Sequence, residues 1–314
     1  LQAAYHERVE RHDHKLDLLG AALLTGAVLA LLVSTRSRAI GAWAVPAALA
    51  LGAGFVAVER RAREPLLPLD LLGQRVIGVA SAVGALVGAA MIATVSFVPL
   101  YVQSVLGGSA TAAGAAIAPM AIGWPVASAL SGRLLHRVGY RPLIRVGLGV
   151  SALAALAMAL WLRPGIPPWG PRLIMAVYGV GLGLSNTPTI IAVQTSVPWS
   201  RRGVATASTM FFRTIGGTVA VGILGGLLAA SLSGSSASPE QVEQLLGPER
   251  SLLAPALVAS LAGALQAGMA RVFWAAAAIA GLAFSVGLAF PKLAPEGTSG
   301  APVGGVAAKT TDVT

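Results

Sequence analysis

A single charged residue, Arg213, lies well inside a long apolar stretch of this sequence. It stands nine residues beyond Val204, which corresponds to about 14 Å along a helix that rises 1.5 Å per residue. A cation at that depth is typical of a functional site, where it faces the interior of a helix bundle and pairs with a ligand or another helix. Alternatively, its long side chain extends to the interface beside Arg201 and Arg202. The sequence leaves both interpretations open.

Polar and sulphur-containing side chains share one helical face in each of two other apolar stretches. One face carries Met91, Thr94, Val98 and Tyr101, and the other carries Tyr178, Ser185, Asn186 and Thr189. A mixed lining of aromatic, thioether and amide groups suits the path of a lipophilic, weakly polar ligand. The predicted substrate path consists of Met91, Thr94, Tyr101, Tyr178, Asn186 and Thr189. Hydrogen bonding between helices would explain the same pattern equally well.

The residue types that catalysis and metal binding need are missing from these stretches. The sequence has no cysteine, and none of its 12 carboxylates lies between residues 71 and 239. It contains no HExxH pair, which would bind zinc, and no GxSxG segment, which would present a nucleophilic serine. His6, His12 and His14 fall close together, but in a polar segment of mixed charge we expect them to be solvated. We therefore predict no catalytic residue, no metal site and no cofactor, and expect a protein that is not an enzyme.

The overall composition excludes a soluble globular protein. Of the 314 residues, 55% are hydrophobic and only 11% are charged, whereas ordinary soluble domains carry about 25% charged residues. The net charge is +10, and the basic residues fall in short segments between apolar stretches, which favours a membrane face over a nucleic-acid partner. The sequence is that of an integral membrane protein, and its preference for Arg over Lys is typical of a GC-rich bacterial genome.

Eight stretches are long and apolar enough to cross a bilayer as helices, at about 20 residues per crossing. They are Leu16–Val33, Ala39–Val58, Val76–Val102, Ala112–Ser131, Leu143–Leu162, Arg172–Gln194, Val204–Ala230 and Arg271–Phe290. Leu252–Ala270 is also apolar, but its leucines form a stripe at a spacing of four, and few residues remain to turn the chain before the last crossing. We predict an interfacial helix there.

The same pattern predicts the organisation of the chain. We expect a cytoplasmic loop over residues 1–15, two transmembrane helices over 16–58 and a cytoplasmic linker over 59–75. A six-helix unit over 76–290 then includes an extracytoplasmic loop over 231–270, and a disordered cytoplasmic tail follows over 291–314. No signal peptide is recognisable after Leu1, and we expect the chain to be a fragment of a longer protein.

The basic residues predict the orientation of the eight helices. With the first residues inside, 16 Lys and Arg residues fall in inner segments and six in outer segments. Basic residues concentrate on the cytoplasmic side of membrane proteins. Both ends of the chain are therefore expected in the cytoplasm, at the inner (plasma) membrane of a bacterium.

One inner loop carries a recognisable motif. The segment Gly132–Arg141 resembles the inner-loop signature of the major facilitator superfamily, which reads approximately G-x-x-x-D-R-x-G-R-R. Four motif positions match: Gly132, Arg137, Gly139 and Arg141. His136 replaces the acid of the signature, and Tyr140 replaces a basic residue. The loop therefore lacks two of the charged side chains that a charge relay would use.

Three further segments resemble the fourteen-span drug:proton antiporter branch of this superfamily. The segment Phe97–Gly107 is similar to the ninth helix and the loop after it, and Glu64–Leu69 is similar to the linker before that helix. Gly203–Gly217 is similar to the thirteenth helix, and the glycines that follow Arg213 suit close helix packing. The predicted packing residues are Gly216, Gly217, Gly222 and Gly226.

The resemblance implies a fold and a function. It makes the chain an all-α membrane protein with eight transmembrane helices, of which the last six resemble a C-terminal transporter domain of two inverted three-helix repeats. It implies proton-coupled efflux of lipophilic, drug-like substrates by alternating access. Such efflux would give resistance to antibiotics. In this branch the coupling acids lie largely in the N-terminal half, so we expect the chain to need that half as its partner and to be incompetent for transport alone.

Two other functions remain open at this point. A stand-alone polytopic protein would bind a lipophilic ligand or a partner without transport. A membrane-embedded transferase acting on lipid-linked substrates would need a cluster of acids or histidines near an interface, and no such cluster occurs away from the first residues.

Overall fold

The structure, a computed structural model, describes residues 17–34, 38–61, 67, 69–163, 165–232 and 255–292. These residues form helices and turns, with no β-strand among them. The helices are α1 (Leu18–Ser34), α2 (Arg38–Glu59), α3 (Leu69–Leu72), α4 (Arg75–Ser104), α5 (Ala110–Val138), α6 (Tyr140–Trp161), α7 (Trp169–Thr195), α8 (Arg202–Leu232) and α9 (Pro255–Leu288), with a single 3₁₀ turn at Trp199–Arg201. The predicted loop 1–15, the three histidines in it and most of the tail 291–314 lie outside the described residues.

Seven of these helices are long and apolar enough to cross a membrane, and α1 is a shorter apolar helix of 17 residues. At 1.5 Å per residue α1 is about 26 Å long, close to the 30 Å thickness of a bilayer core. Large apolar side chains on the outer surface, such as Ile122 and Leu153, are 68% and 66% exposed, which suits contact with lipid. The predicted all-helical membrane fold is confirmed.

The region before the last crossing differs from the prediction. Leu252–Ala270 is not a separate interfacial helix, because α9 runs without interruption from Pro255 to Leu288. Proline is tolerated at the first position of a helix, where its missing N–H has no helical partner. Leu265 and Met269 are fully buried, and Gly268 lies against Leu228 of α8. This part of the helix therefore packs on its neighbour. Of the loop predicted over 231–270, the part from Pro255 onward is helical, and residues 233–254 lie outside the described residues.

The six helices α4 to α9 pack as two inverted repeats. Helix α5 packs on α7 as α4 packs on α8, and α6 packs on α7 as α9 packs on α4, while α6 and α9 contact each other. Exchanging α4 with α7, α5 with α8 and α6 with α9 converts the first four of these pairs into one another and leaves the α6–α9 pair unchanged, so the set of contacts is preserved. Since equivalent helices run in opposite directions through the bundle, the repeats are inverted, as in many transporter folds.

Glycines allow the closest of these contacts. In the α4–α8 pair, Gly84 faces the main chain of Thr209, and a Cβ on Gly88 would lie 2.7 Å from the carbonyl carbon of Arg213. In a membrane, where lipid is as apolar as a side chain, such close main-chain packing is a main source of helix association. The crossing fixes the position of the Arg213 main chain against α4.

The α5–α7 pair repeats this contact. A Cβ on Gly179 would lie 2.6 Å from the carbonyl oxygen of Met120, and one on Gly183 would overlap the carbonyl oxygen of Trp124. The two contacts match residue by residue. Gly84 and Gly88 of α4 correspond to Gly179 and Gly183 of α7, with the same difference in residue number. The residues they face correspond in the same way: Thr209 to Met120, and Arg213 to Trp124. Trp124 is thereby the repeat counterpart of Arg213.

The basic residues of the bundle gather at one end, where α5 meets α6 and α7 meets α8. We call this the basic end; it carries Arg75, Arg133, Arg137, Arg141, Arg145, Arg201 and Arg202. The opposite end, where α4 meets α5 and α6 meets α7, is called the far end. Helices α1 and α2 pack against each other beside this bundle, and Leu32 of α1 contacts Gly222 of α8.

Candidate functional site

Arg213 extends into the bundle and contacts three other helices. Its Nη1 donates a hydrogen bond to Oδ1 of Asn186 in α7 at 2.8 Å, and its Nη2 donates to Sδ of Met91 in α4 at 3.1 Å. The guanidinium carbon lies 4.9 Å from the centre of the Trp124 ring in α5, within the range of a cation–π interaction. The side chain is therefore directed into the bundle and not along the membrane interface towards Arg201 and Arg202.

Inverted symmetry explains why these four side chains meet. Met91 and Asn186 are repeat counterparts on α4 and α7, as Trp124 and Arg213 are on α5 and α8. Counterparts lie on opposite sides of the axis that relates the repeats, so residues near that axis come together. We call these four residues the axial cluster. Its members differ in chemistry, and the symmetry of the backbone is broken here by a single positive charge.

All partners of this charge are uncharged. The carboxylates among the described residues belong to Asp17, Glu59 and Asp70, which lie at helix ends or in the linker and not within the bundle. An amide oxygen, a thioether and an aromatic face each stabilise a guanidinium through dipole or quadrupole without neutralising it. The site therefore retains a net positive charge.

A cavity of about 610 Å³ opens beside the axial cluster, between α4 and α8. Its lining residues are Leu32 of α1, Met91, Ile92 and Ser96 of α4, and Met210, Arg213, Thr214, Thr218, Val221 and Gly222 of α8. This volume lies within the range of about 300 to 1,000 Å³ that small-molecule sites occupy. The lining is mostly apolar, with a few hydroxyl groups and one cation.

The structure does not bring all six predicted path residues to the cavity. Met91 lines the cavity, and Asn186 holds the arginine that lines it. Thr94 and Tyr178 are buried together, with Tyr178 also close to Arg213. Thr189 is half-buried, and its hydroxyl donates to the carbonyl oxygen of Ser185 at 2.7 Å within α7.

Tyr101 lies away from this cavity. Its side chain is 1% exposed and packs edge-on against Phe273 of α9, with ring centres 5.5 Å apart. Its hydroxyl group is buried and has no hydrogen-bond partner in the described part of the chain. The helical face that carries Met91 and Tyr101 continues from the cavity into the contact with α9, so Tyr101 contributes to helix packing in this structure.

Several cavity residues escaped the sequence analysis. Ser96, Thr214 and Thr218 contribute hydroxyl groups to the lining. The signal was present in α8, where Met210, Thr214 and Thr218 recur at a spacing of four on the face that includes Arg213. Isolated threonines in an apolar helix give a weak signal, because they commonly bond to the carbonyl of the preceding turn, as Thr214 does to Met210 at 3.0 Å.

The predicted packing glycines occupy two environments. Gly216 and Gly217 face α4, with a Cβ on Gly216 placed 2.7 Å from the carbonyl carbon of Ala85. Gly222 instead faces the side chain of Leu32 in α1 and lines the cavity. The close main-chain contact of α8 is therefore made at the first pair. Gly226 is half-buried one turn further along the helix.

The four matched positions of the inner-loop motif lie at the basic end. Gly139 joins α5 to α6 as a single residue with φ of +84°, a conformation that favours glycine. Arg137 is exposed, Gly132 faces open space, and the half-buried Arg141 has an Nε without a hydrogen-bond partner among the described residues. The next arginine, Arg145, donates a hydrogen bond to the carbonyl of Leu288 and so joins α6 to the end of α9.

An ion pair attaches the linker to the same end. Asp70 in α3 and Arg201 at the α7–α8 turn lie 2.7 Å apart between Oδ2 and Nη1, and both side chains are about half exposed. The hydrogen bond from Arg201 holds the pKa of the Asp70 carboxyl below its usual range. Nearby, the N–H of Leu67 donates a hydrogen bond to the Glu59 carboxylate. The linker therefore has specific contacts with the bundle.

Comparison with known proteins gives a consistent result. A family model described as Major Facilitator Superfamily matches residues 18–221. The chain is 38% identical over 218 residues to a tetracycline resistance determinant of Streptomyces rimosus, which covers 67% of this chain and 62% of that protein. It is 31% identical over 207 residues to multidrug transporter protein MdtP of Bacillus subtilis, covering 65% of this chain and 38% of the relative. The chain thus spans between about a third and two thirds of these relatives.

Proposed function

Since the chain belongs to the major facilitator superfamily, we propose that it is the C-terminal portion of a proton-coupled exporter of drug-like molecules. The names of its relatives, a tetracycline resistance determinant and a multidrug transporter, support efflux as the direction and antibiotics as a substrate class. The protein is a transporter rather than an enzyme. A segment equivalent to the part of the relatives that lies outside this chain would form the other half of the transporter.

The cavity between α4 and α8 is the observation that carries this proposal. It combines a drug-sized volume, an apolar lining and a half-buried charged group contributed by Arg213. A lipophilic molecule would pack against Met91, Ile92 and Met210, whose flexible or branched side chains tolerate different shapes. Such a lining favours broad substrate acceptance over a single tightly defined ligand.

The inverted repeats support alternating access as the mechanism. In the proposed cycle, this six-helix unit moves largely as a rigid body against the N-terminal half, and the cavity opens to each side of the membrane in turn. The glycine-mediated crossings of α4 with α8 and α5 with α7 keep the unit intact during that motion. The carboxylates that carry protons would lie in the N-terminal half, since none occurs between residues 71 and 239.

The basic end faces the cytoplasm in this proposal, because basic residues are retained on that side of bacterial membranes. Both ends of the chain are then cytoplasmic, and the protein lies in the plasma membrane with several crossings.

The test is an efflux assay on the complete transporter. Cells that express it are loaded, while de-energised, with N-phenyl-1-naphthylamine, a neutral lipophilic fluorophore, and are then given glucose. We expect the fluorescence to fall faster than in cells carrying an empty vector, and a protonophore to abolish the difference. Efflux that survives the protonophore would contradict proton coupling. Binding of the fluorophore without any efflux would instead favour a stand-alone binding protein.

A further inference from the structure

The axial cluster leaves part of the Arg213 guanidinium available. A guanidinium group has five N–H donors. One is used by Asn186 Oδ1 and one by Met91 Sδ, while the Trp124 ring lies over the guanidinium carbon. The same side chain is only half-buried and is one of the residues that line the cavity, which brings its guanidinium within reach of a ligand there.

The rest of the cavity wall offers no competing negative charge. It consists of apolar side chains, one glycine and the hydroxyl groups of Ser96, Thr214 and Thr218. The hydroxyl hydrogens of Thr214 and Thr218 are used in bonds to the carbonyl oxygens of Met210 and Thr214, both 3.0 Å. A positive charge at the wall of an apolar cavity interacts with an oxyanion far more strongly than it would in water.

The charge is also held in position before any ligand arrives. Its main chain is fixed by the contact with Gly88, and Asn186, Met91 and Trp124 hold its head from three other helices. Binding therefore requires little further ordering of a long flexible side chain, which is the usual cost of arginine in a binding site. This arrangement resembles a prepared anion site more than a mere helix–helix contact, which would not need an accessible cation.

We infer that this cavity selects amphiphilic anions, binding a carboxylate or sulfonate oxygen of the ligand to Arg213 while the apolar body packs against α4 and α8. This inference rests on the proposed function, of which it specifies the substrate class. The ligand carries the oxyanion, since the residues that hold and surround Arg213 supply no carboxylate.

The test compares two fluorophores that differ by one charged group. The anion is 1-anilinonaphthalene-8-sulfonate, and N-phenyl-1-naphthylamine is the same ring system without the sulfonate. Binding to the full chain in nanodiscs of zwitterionic lipid is measured by energy transfer from tryptophan, after subtraction of empty nanodiscs. We expect Arg213→Gln to weaken binding of the anion by about tenfold or more and to change binding of the neutral compound less than twofold.

Two further variants control for folding and for surface charge. Arg213→Lys keeps the charge but loses the planar fork, so we expect an intermediate loss for the anion. Arg133→Gln removes the same charge from an exposed position at the basic end and should change neither compound. Each variant must give the gel-filtration profile and helical circular dichroism of the parent chain before its binding is compared.

The outcomes are distinct. Selective loss of the anion in Arg213→Gln supports the inference. Equal loss of both compounds, or no loss of either, overturns it. If the complete transporter exports the neutral compound normally but the chain shows no preference for the anion, the anion site fails while the proposed function stands. If the anion binds selectively but nothing is exported, the proposed function fails and the site stands.

Discussion

At the scale of single residues, the central feature is a cation among uncharged partners. Arg213 is stabilised by an amide oxygen, a thioether and an indole ring from α7, α4 and α5. Neutral partners reduce the cost of burying the charge without cancelling it. The side chain can therefore be held in the bundle and still attract an anion.

Asn186→Asp would cancel that charge with almost no change of shape. The new carboxylate would sit 2.8 Å from Nη1 of Arg213 in place of the amide oxygen. We expect the variant to fold normally and to lose most of its affinity for 1-anilinonaphthalene-8-sulfonate, because the guanidinium is already paired. Titration in nanodiscs checks this, and binding as tight as that of the parent chain would show that the accessible charge at Arg213 is irrelevant.

Tyr101 packs against α9, so substitutions of Tyr101 should change the stability of the protein more than its selectivity among substrates. Tyr101→Phe removes a buried hydroxyl without a partner among the described residues, so we expect a melting temperature equal to or above that of the parent chain. Tyr101→Ala also removes the ring that contacts Phe273, and should cost on the order of 3 kcal/mol. Thermal unfolding in detergent measures both. A marked loss in Tyr101→Phe would mean that the hydroxyl has a bonded role.

Much of this site could be predicted from sequence as residue types, but not as an assembly. Asn186 and Arg213 stood out because polar or charged groups are rare in apolar helices, and Met91 because it shares a helical face with Thr94. That they contact one another depends on which helices pair, which periodicity within one helix does not reveal. Trp124 gave no signal at all, since a tryptophan in an apolar helix is unremarkable until its repeat counterpart is known.

At the scale of helices, glycines decide which helices cross closely. Gly216 on α8 has no room for a side chain, because its Cβ would lie 2.7 Å from the carbonyl carbon of Ala85 on α4. Gly225, nine residues further along the same helix, faces open space. Substitution by alanine at these two positions therefore separates the effect of close packing, present only at Gly216, from the effect of intrinsic helix preference, present at both.

Gly216→Ala should therefore destabilise the bundle, by about 1 to 3 kcal/mol for overpacking of this kind. Gly225→Ala should be neutral or stabilise it by at most about 1 kcal/mol, since alanine is the better helix former. Thermal unfolding of both variants in the same detergent measures the difference. Similar melting temperatures for the two would indicate that the α4–α8 crossing is looser than described.

The ion pair between Asp70 and Arg201 should respond to pH. The lowered pKa means that the contact is fully present above the ordinary carboxyl value of 3.8 and is lost as the pH falls through the lower folded value. Because the pair is about half exposed, its contribution to stability is small. A local probe is therefore more informative than global unfolding.

The absence of cysteine allows such a probe to be placed cleanly. A nitroxide on Gly73→Cys, next to α3, should be more mobile in Asp70→Asn than in the parent chain at pH 7. As the pH falls through the lowered pKa of Asp70, the two spectra should converge, because the parent carboxyl then becomes protonated. Identical spectra at pH 7 would show that the ion pair does not hold the linker.

Sequence predicted the helices better than their ends. Each long apolar helix among the described residues coincides with a predicted stretch, because a bilayer allows few alternatives to a helix. The separate interfacial helix predicted over Leu252–Ala270 was wrong. The leucine stripe and the lack of turn residues before the last crossing are equally compatible with one continuous helix. The burial of Leu265 and Met269 against neighbouring helices favours that solution, and a single-helix pattern does not show it.

At the scale of the whole molecule, inverted symmetry connects fold and function. The repeats place four side chains near one axis, and the difference between Trp124 and Arg213 gives that axis a charge beside a drug-sized cavity. The proposed transport cycle requires this cavity to be reached from each side of the membrane in turn. A binding protein without transport requires access from one side only.

Accessibility of Thr218→Cys in the complete transporter tests this claim most directly. A membrane-impermeant maleimide is applied to right-side-out and to inside-out vesicles, with and without an imposed proton gradient, in a protein otherwise free of cysteine. Leu153→Cys, on the lipid-facing surface of α6, is the control that should remain unlabelled. We expect labelling of Thr218→Cys from both sides, and the gradient should shift the ratio between them. Labelling from one side only, unchanged by the gradient, would contradict the claim.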